Sequence, residues 1–132
     1  MNKKNTKNLF GKFDFFQPKK SVQESLMAFG FECGDGWYNL IWKLCEKIEK
    51  EIKSFKNDDL KNYQKYPFEV VQVKQKFGGL RFYTNWGTDK IYELINEAEE
   101  KSYTVCESCG EVGRVRDGGW ISTLCDKCVK NK

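Results

Sequence analysis

The stretch VKQKFGGLRFY, residues 73–83, predicts a β-hairpin. Apolar and polar residues alternate on both sides of a glycine pair at 78–79, which is typical of two half-buried strands joined by a tight turn. Both central residues of a type I′ turn need a positive φ angle, so the glycine pair is the expected turn. Lys76 would then lie opposite Arg81 on a charged face. The apolar face would contain Val73, Phe77, Leu80 and Phe82.

The charged face of this hairpin requires a compensating negative charge, because like charges directly opposite each other destabilise a strand pair. One hypothesis is that an acidic side chain of the same chain supplies it, from the set Asp35, Glu93, Glu97, Glu99 and Glu100. The other is an external phosphate-bearing ligand or acidic partner surface, to which Arg81 would make a bidentate contact. We call the residues of the second hypothesis the recognition face: Lys74, Lys76, Arg81 and Tyr83.

The remaining secondary-structure signals predict helices around the hairpin. Residues 33–55 carry the strongest pattern, with apolar residues at three- and four-residue steps and Asp35 at the position of an N-cap. Shorter helices are expected in residues 21–30, which contain a Ser-x-x-Glu capping box, and in residues 88–103, whereas the polar residues 57–67 predict a loop. The fold class is therefore α+β, with helices packed on a small antiparallel sheet. The long helix would bury Trp37, Leu40, Ile41, Leu44 and Ile48.

The net charge of +4 is concentrated at the N-terminal end of the chain. Residues 1–20 contain six lysines and one aspartate, whereas residues 21–132 contain 17 basic and 18 acidic residues. This distribution disfavours a broad phosphate-binding face on the body. The four phenylalanines of the first segment predict that its second half docks on the body or on a partner, while its first eight residues are expected to fray. We therefore divide the chain into a basic and aromatic arm (1–20), an α+β body (21–104) and a zinc-ribbon module with its tail (105–132).

Two cysteine pairs predict a metal site. The sequences CESCG, at 106–110, and CDKC, at 125–128, give two C-x₂-C motifs separated by 15 residues. This spacing is typical of a structural four-thiolate zinc site, although iron could occupy four sulfurs at similar geometry. The residues between the motifs predict a second hairpin that turns at 117–119, the layout of a zinc ribbon. One structural Zn²⁺ would be bound by Cys106, Cys109, Cys125 and Cys128.

Two further cysteines, Cys33 and Cys45, lie outside this spacing and are expected to be small buried hydrophobic residues. The sequence contains no histidine, so a Ser or Cys nucleophile would lack its usual base. A closed four-thiolate site would also leave no open position for a reactive water. Enzymatic activity is therefore not expected.

The sequence also predicts the compartment. Residues 1–20 lack the apolar run of about 7–15 residues of a secretory signal, and no stretch approaches about 18 uninterrupted apolar residues. We expect a cytoplasmic protein with no membrane segment. In a reducing compartment, six cysteines favour metal ligands and buried thiols over disulfides.

Four segments, GDGWYNLIWKLCEKIE, VQVKQKFGGLRFY, AEEKSYTVCESCG and GGWISTLCDKC, resemble a widespread family of small uncharacterised proteins encoded by phages, prophages and bacterial genomes. The resemblance covers residues 31–128, and it implies the same architecture and an origin in a mobile element, with a bacterial host cell as the location. It implies no catalytic residue. Similar sequences can use His as the last metal ligand, so Cys128 implies an all-thiolate site in this chain.

Three functions are compatible with these features. The first is a non-enzymatic protein that binds a host or phage protein, such as a defence enzyme that it would inhibit. The second is a nucleic-acid-binding module that uses the lysine-rich arm with Arg114 and Arg116, although residues 106–132 hold only five basic against four acidic residues. The third is capture of a small nucleotide-like anion at the recognition face.

Overall fold

The computed structural model describes residues 1–131 and confirms the α+β fold class. One sheet has three strands in the order β1–β2–β3, with β1 parallel to β2 and β3 antiparallel to it. The second sheet is an antiparallel pair, β4 and β5, near the C-terminal end. The strands are β1 (Phe31–Glu32), β2 (Val70–Lys76), β3 (Gly79–Thr84), β4 (Arg114–Arg116) and β5 (Ser122–Leu124). The parallel strand β1 was not predicted.

Five α-helices surround these strands: α1 (Lys3–Lys12), α2 (Tyr38–Lys53), α3 (Asn57–Lys65), α4 (Asp89–Ser102) and α5 (Asp126–Lys130). Helices α2 and α4 pack against each other, and α4 also packs on β3. The predicted stripe of α2 is confirmed in the core, where Trp37, Ile41, Leu44 and Ile48 are buried and Leu40 is partly buried. In the described part of the chain, no helix combines the length and the apolarity needed to cross a lipid bilayer.

The start of α2 differs from the prediction. A short 3₁₀ helix, Asp35–Trp37, precedes it, and the α-helix begins at Tyr38 without a side-chain cap. The carboxylate of Asp35 instead accepts hydrogen bonds from the backbone N–H of Asn2 (2.8 Å) and the side-chain amide of Asn5 (3.2 Å). Asp35 therefore connects α2 to α1 and does not cap its own helix.

The hairpin has a different register from the one predicted. Its turn residues are Phe77 (φ 53°) and Gly78 (φ 86°), so Lys76 lies opposite Gly79. Each β2 residue in the hairpin is therefore paired with a β3 residue two positions earlier than predicted. Because side chains alternate between the two faces of a strand, a shift of two positions leaves every side chain on its predicted face. Lys74, and not Lys76, is opposite Arg81. Val73, Leu80 and Phe82 are buried as expected, whereas Phe77 is 66% exposed in the turn.

Two predictions about the polar segments were wrong. Residues 57–67 contain α3. This helix has no buried residue, so it lacks the apolar periodicity from which a helix can be predicted. Acidic residues occupy its first turn and Lys65 its last, which is consistent with the helix dipole. Residues 21–30 form no α-helix, only the 3₁₀ helix Met27–Phe29. The backbone N–H of Leu26 donates to Val71 O (2.7 Å), so this segment is bound to β2.

The N-terminal segment docks along its whole length. The first eight residues, which were expected to fray, instead belong largely to α1. The side chain of Asn2 caps this helix by accepting a hydrogen bond from the backbone N–H of Asn5 (2.8 Å). Leu9 on this helix is fully buried. The expected docking of the second half is confirmed, because three of its phenylalanines belong to the main core: Phe13, Phe15 and Phe16.

Candidate metal centre

The first C-x₂-C motif forms a tight knuckle after α4. The backbone N–H of Cys106 donates to Glu111 O (2.7 Å), and the N–H of Gly110 donates to Cys106 O (2.9 Å). A single bridge between Val105 and Val112 closes the base of the knuckle. This compact turn places the two cysteine sulfurs of the motif close to each other and close to the sulfurs of the second motif.

The second motif lies at the start of α5. Cys125 is the N-cap of this helix, and its Sγ accepts a hydrogen bond from the backbone N–H of Cys128 (3.3 Å). A residue at the N-cap and one in the first helical turn therefore present their sulfurs together. Helix α5 was not predicted, because five residues are too few to show an apolar period.

The four predicted ligand sulfurs converge. Those of Cys106, Cys109, Cys125 and Cys128 all lie within 4.8 Å of one another, and the Sγ atoms of Cys109 and Cys125 are 3.7 Å apart. A tetrahedral zinc ion with Zn–S bonds of about 2.3 Å separates its sulfurs by about 3.8 Å. The donor set and its spacing thus fit a four-thiolate metal ion, and the same donors could hold iron.

The thiols of this cluster have divergent acidities. Burial raises the pKa of Cys106, but hydrogen bonds from the backbone amides of Cys125, Cys109 and Ser108, together with one from the Cys109 thiol, lower it to about 6. Hydrogen bonds with the sulfurs of Cys125 and Cys109 raise the pKa of Cys128 to about 12. Four adjacent thiolates repel one another, so a cation is needed to hold all four ionised. Metal binding must therefore release protons from this cluster.

The first knuckle packs directly on the segment that precedes α2. The backbone N–H of Gly36 donates to Glu107 O (2.7 Å), and the N–H of Gly34 donates to the Glu107 carboxylate (2.9 Å). The indole N–H of Trp37 donates to Val105 O (2.8 Å). The GDGW sequence is therefore the docking site of the metal module on the body.

The glycines of this sequence are required by close backbone approach. A Cβ atom on Gly36 would overlap the carbonyl oxygen of Cys106, and one on Gly34 would overlap the carbonyl oxygen of Glu107. Sequence analysis assigned no role to these glycines. The only local signal was two glycines flanking an aspartate before a helix, which is also typical of an ordinary loop.

The ribbon also contacts the tip of the first hairpin. Thr123 on β5 is fully buried, and its hydroxyl donates to Gly78 O (2.6 Å). The side-chain amide of Gln75 donates to Ile121 O (3.5 Å). Strand β5 is joined to the first knuckle as well, because the N–H of Glu107 donates to Thr123 O (2.9 Å). The hairpin tip, the ribbon and the metal site therefore form one continuous hydrogen-bonded unit.

The residues of the recognition face share one side of the three-stranded sheet. The guanidinium of Arg81 donates to the Tyr103 hydroxyl (3.2 Å) and to Leu80 O (2.9 Å). The bond to Tyr103 raises the pKa of Arg81, with a smaller contribution from the charge of Glu99. Within residues 1–131, no carboxylate forms an ion pair with any cation of this face, which consists of Lys74, Lys76 and Arg81.

Three of the five predicted internal carboxylate partners have other contacts. Asp35 is bound to α1, Glu93 pairs with Lys90 (4.0 Å), and Glu99 accepts a hydrogen bond from the backbone N–H of Phe82 (2.9 Å). Across the residues that the structure describes, none of these carboxylates forms a direct ion pair with the recognition face, although the charge of Glu99 acts on Arg81 and raises its pKa. The Glu99 carboxylate on α4 instead pairs with an N–H group on the open edge of β3, which would otherwise lack a partner beside α4.

The structure adds a groove that sequence analysis missed. It has a volume of about 290 Å³ and lies between the tip of the first hairpin and the loop that joins β4 to β5. Its lining residues are Lys74, Gln75, Lys76, Phe77, Gly119, Trp120 and Ile121. The available signal was the aromatic residue beside each of two predicted turns, but nothing in the sequence indicates that the turns meet.

Comparisons with protein-family models, curated proteins and solved structures find no match for this chain. The geometry of the cysteine cluster is therefore the principal guide to function. Four cysteines this close together could bind a metal ion, which is consistent with a zinc-binding protein.

Proposed function

We propose that this protein is a non-enzymatic binding protein in which one structural Zn²⁺ ion fastens the C-terminal ribbon to the α+β body. The observation that carries the proposal is the convergence of four sulfurs within 4.8 Å. Zinc is favoured over iron because closed four-thiolate sites with paired C-x₂-C spacing are typical structural zinc sites. The ligands are Cys106, Cys109, Cys125 and Cys128.

The remaining cysteines support a role without catalysis. Burial raises the pKa of Cys33 to about 12, and burial also raises the pKa of Cys45 well above its usual value. Both thiols are therefore protonated at neutral pH, and a protonated thiol is a poor nucleophile. With no histidine in the sequence, neither has the usual activating base.

The proposed partner is a protein with an acidic surface, and the recognition face is its binding site. This face presents three cations that form no ion pair within the described residues, an arrangement that attracts an acidic surface. The resemblance to phage and prophage proteins favours a host or phage protein, such as a defence enzyme. The site therefore combines local positive charge with a nearly neutral body, which favours a specific contact over general phosphate binding.

The two arginines of the ribbon give less support to the alternative that the protein binds nucleic acid. Arg116 is only 17% exposed, and it donates to Leu124 O and to the Asp126 carboxylate (2.7 Å). Arg114 lies 3.8 Å from the same carboxylate. Both arginines thus face an acidic side chain of their own module, which reduces their attraction for phosphates.

Metal analysis and partner capture test this proposal. We expect one zinc per chain and retention of the metal when Cys33 and Cys45 are replaced by Ala. In capture from bacterial lysate, a Lys76→Glu, Arg81→Glu protein should lose the partner retained by the parent. A matched control, Lys43→Glu with Lys61→Glu, reverses two exposed lysines elsewhere and should retain it. Absence of metal from the folded protein, or equal capture by both variants, would contradict the proposal.

A further inference from the structure

The groove between the two hairpin tips has aromatic walls. Phe77 of the first hairpin is 66% exposed and Trp120 of the ribbon loop is 73% exposed, and both line the groove. Large exposed aromatic side chains are enriched among the residues that dominate protein interfaces. Their convergence from two separate parts of the chain favours a binding role over chance exposure.

Phe77 occupies a backbone conformation that opposes its side chain. Its φ angle of 53° lies in the left-handed region, where Gly, Asn and Asp are favoured and a bulky residue is strained. The side chain gains little core packing in return, because it is mostly exposed. Its ring contacts the Lys76 ammonium, which lies 5.8 Å from the ring centroid. Strain of this kind without a compensating core contact is typical of functional positions.

The groove exists only while the ribbon is docked. One wall comes from the body and the other from the ribbon, and two hydrogen bonds hold them together: Thr123 Oγ1 to Gly78 O (2.6 Å) and Gln75 Nε2 to Ile121 O (3.5 Å). The ribbon has few buried side chains of its own. Its docking therefore depends on the metal centre, and so does the groove.

The rim of the groove is cationic. Lys74 and Lys76 line it, and neither forms an ion pair with a carboxylate of the described residues. Glu32 is the register neighbour of Lys74 on β1, but its carboxylate accepts a hydrogen bond from the Gln72 amide (3.4 Å). An apolar cleft with a cationic rim is complementary to an apolar side chain that has acidic neighbours.

The shape of the groove favours a single side chain. Its volume of about 290 Å³ is at the lower limit of the range of about 300–1,000 Å³ that is usual for small-molecule sites. It is also open to solvent along one side, between two surface turns. A side chain anchored from an extended protein segment fits these dimensions better than an enclosed nucleotide.

We infer that this groove binds an acidic segment of a partner protein, which inserts one aromatic side chain between Phe77 and Trp120 while its carboxylates pair with Lys74 and Lys76. The inference rests on the proposed function, because it specifies the chemistry of the partner that the recognition face binds. The two lysines belong to both sites, whereas the aromatic walls belong to the groove alone.

Defined peptides test the inference on the metal-loaded protein. The probe is a fluorescein-labelled peptide with one central Trp flanked on each side by three Asp or Glu residues, and binding is measured by fluorescence anisotropy. Peptides with Lys flanks, or with Gly at the centre, are the matched controls. We expect the acidic Trp peptide to bind at least about tenfold more tightly than either control, the difference expected for a hot-spot contact.

Variants locate the binding to the groove. Phe77→Gly removes one wall and relieves the backbone strain, so the protein should remain folded. It and Trp120→Ala should each weaken peptide binding about tenfold or more. Phe29→Ala removes an aromatic side chain that is 64% exposed elsewhere and should have no effect. Chelation of the metal should abolish peptide binding.

Three outcomes would overturn the inference. They are equal binding of the acidic and Lys-flanked peptides, unchanged binding by both groove variants, and binding of a twelve-nucleotide oligothymidylate in place of the peptide. Failure of the proposed function gives a different result. If Phe77→Gly and Trp120→Ala still capture the lysate partner while Lys76→Glu with Arg81→Glu does not, the groove assignment fails and the proposed function stands.

Discussion

The body and the ribbon of this protein are stabilised in different ways. The body buries a continuous cluster of apolar side chains that includes Trp37, Ile41 and Leu80, each with no exposed surface. The ribbon, by contrast, leaves Val112 84% exposed and Trp120 73% exposed. Hydrophobic burial can therefore fold the body, whereas the ribbon relies on its docking contacts and, under the proposed function, on a bound metal ion.

The largest expected effect is that of metal removal. With a strong chelator, or with Cys106→Ser and Cys109→Ser, the ribbon should lose its structure, because structural zinc contributes on the order of 10–16 kcal/mol in isolated zinc-finger peptides. Hydrogen exchange should then accelerate at the amides of Cys106 and Glu107, which are bonded to Glu111 O and Thr123 O. Amides in α2 should stay protected. Equal loss of protection in both regions would show that the body also depends on the metal.

A core truncation should affect the body more than the ribbon. Leu44 is 2% exposed on α2, so Leu44→Ala should lower the free energy of unfolding by about 2–5 kcal/mol. Chemical denaturation of the metal-loaded protein measures this change. Leu60→Ala, at a position 40% exposed on α3, is the control and should have little effect. A cost below about 1 kcal/mol at Leu44 would show that the core is not centred on this helix.

The junction between the two regions can be broken by one methyl group. Gly36→Ala would place a Cβ atom against the Cys106 carbonyl, so the knuckle must shift away from α2, with an expected cost of about 1–3 kcal/mol. A chelator should then extract the metal faster than from the parent protein. Gly118→Ala, where no atom lies within 4 Å of the added group, should leave that rate unchanged. Equal rates for the two variants would mean that docking does not protect the metal site.

The smallest effect expected is a pH dependence within the body. Burial raises the pKa of Glu99, although the N–H of Phe82 and the charge of Arg81 oppose the shift. A carboxyl group with a raised pKa in the folded protein contributes stability at low pH and loses that contribution as the pH rises through the folded value. Glu99→Gln keeps an acceptor for Phe82, so it should melt slightly above the parent at pH 7.

The difference between the Glu99→Gln and parent melting temperatures should shrink as the pH falls and vanish below the unfolded pKa of about 4.3. Thermal unfolding across a pH series checks this trend, and metal loss at low pH affects both proteins alike. A variant that melts below the parent at pH 7 would show that the ionised carboxylate has a stabilising contact with Arg81.

Local sequence patterns determined several parts of this structure. The apolar period of α2 predicted its buried stripe, and the alternation in residues 73–83 predicted which side chains share a face of the hairpin. The paired cysteine spacing predicted the four sulfurs that converge. Each of these signals is short in sequence, because helix period, strand alternation and knuckle geometry are set by residues within a few positions of one another.

Only the tertiary structure decided the register of the hairpin and the placement of the ribbon. Gly79 is packed so closely on the Tyr103 ring that a Cβ atom there would overlap it, while Gly78 O accepts the Thr123 hydroxyl. The turn is therefore at Phe77 and Gly78, despite the more favourable glycine pair. These contacts join residues 24 and 45 positions apart, and a contact at that separation leaves no periodic trace in the sequence. The groove between Phe77 and Trp120 arises from the same long-range packing.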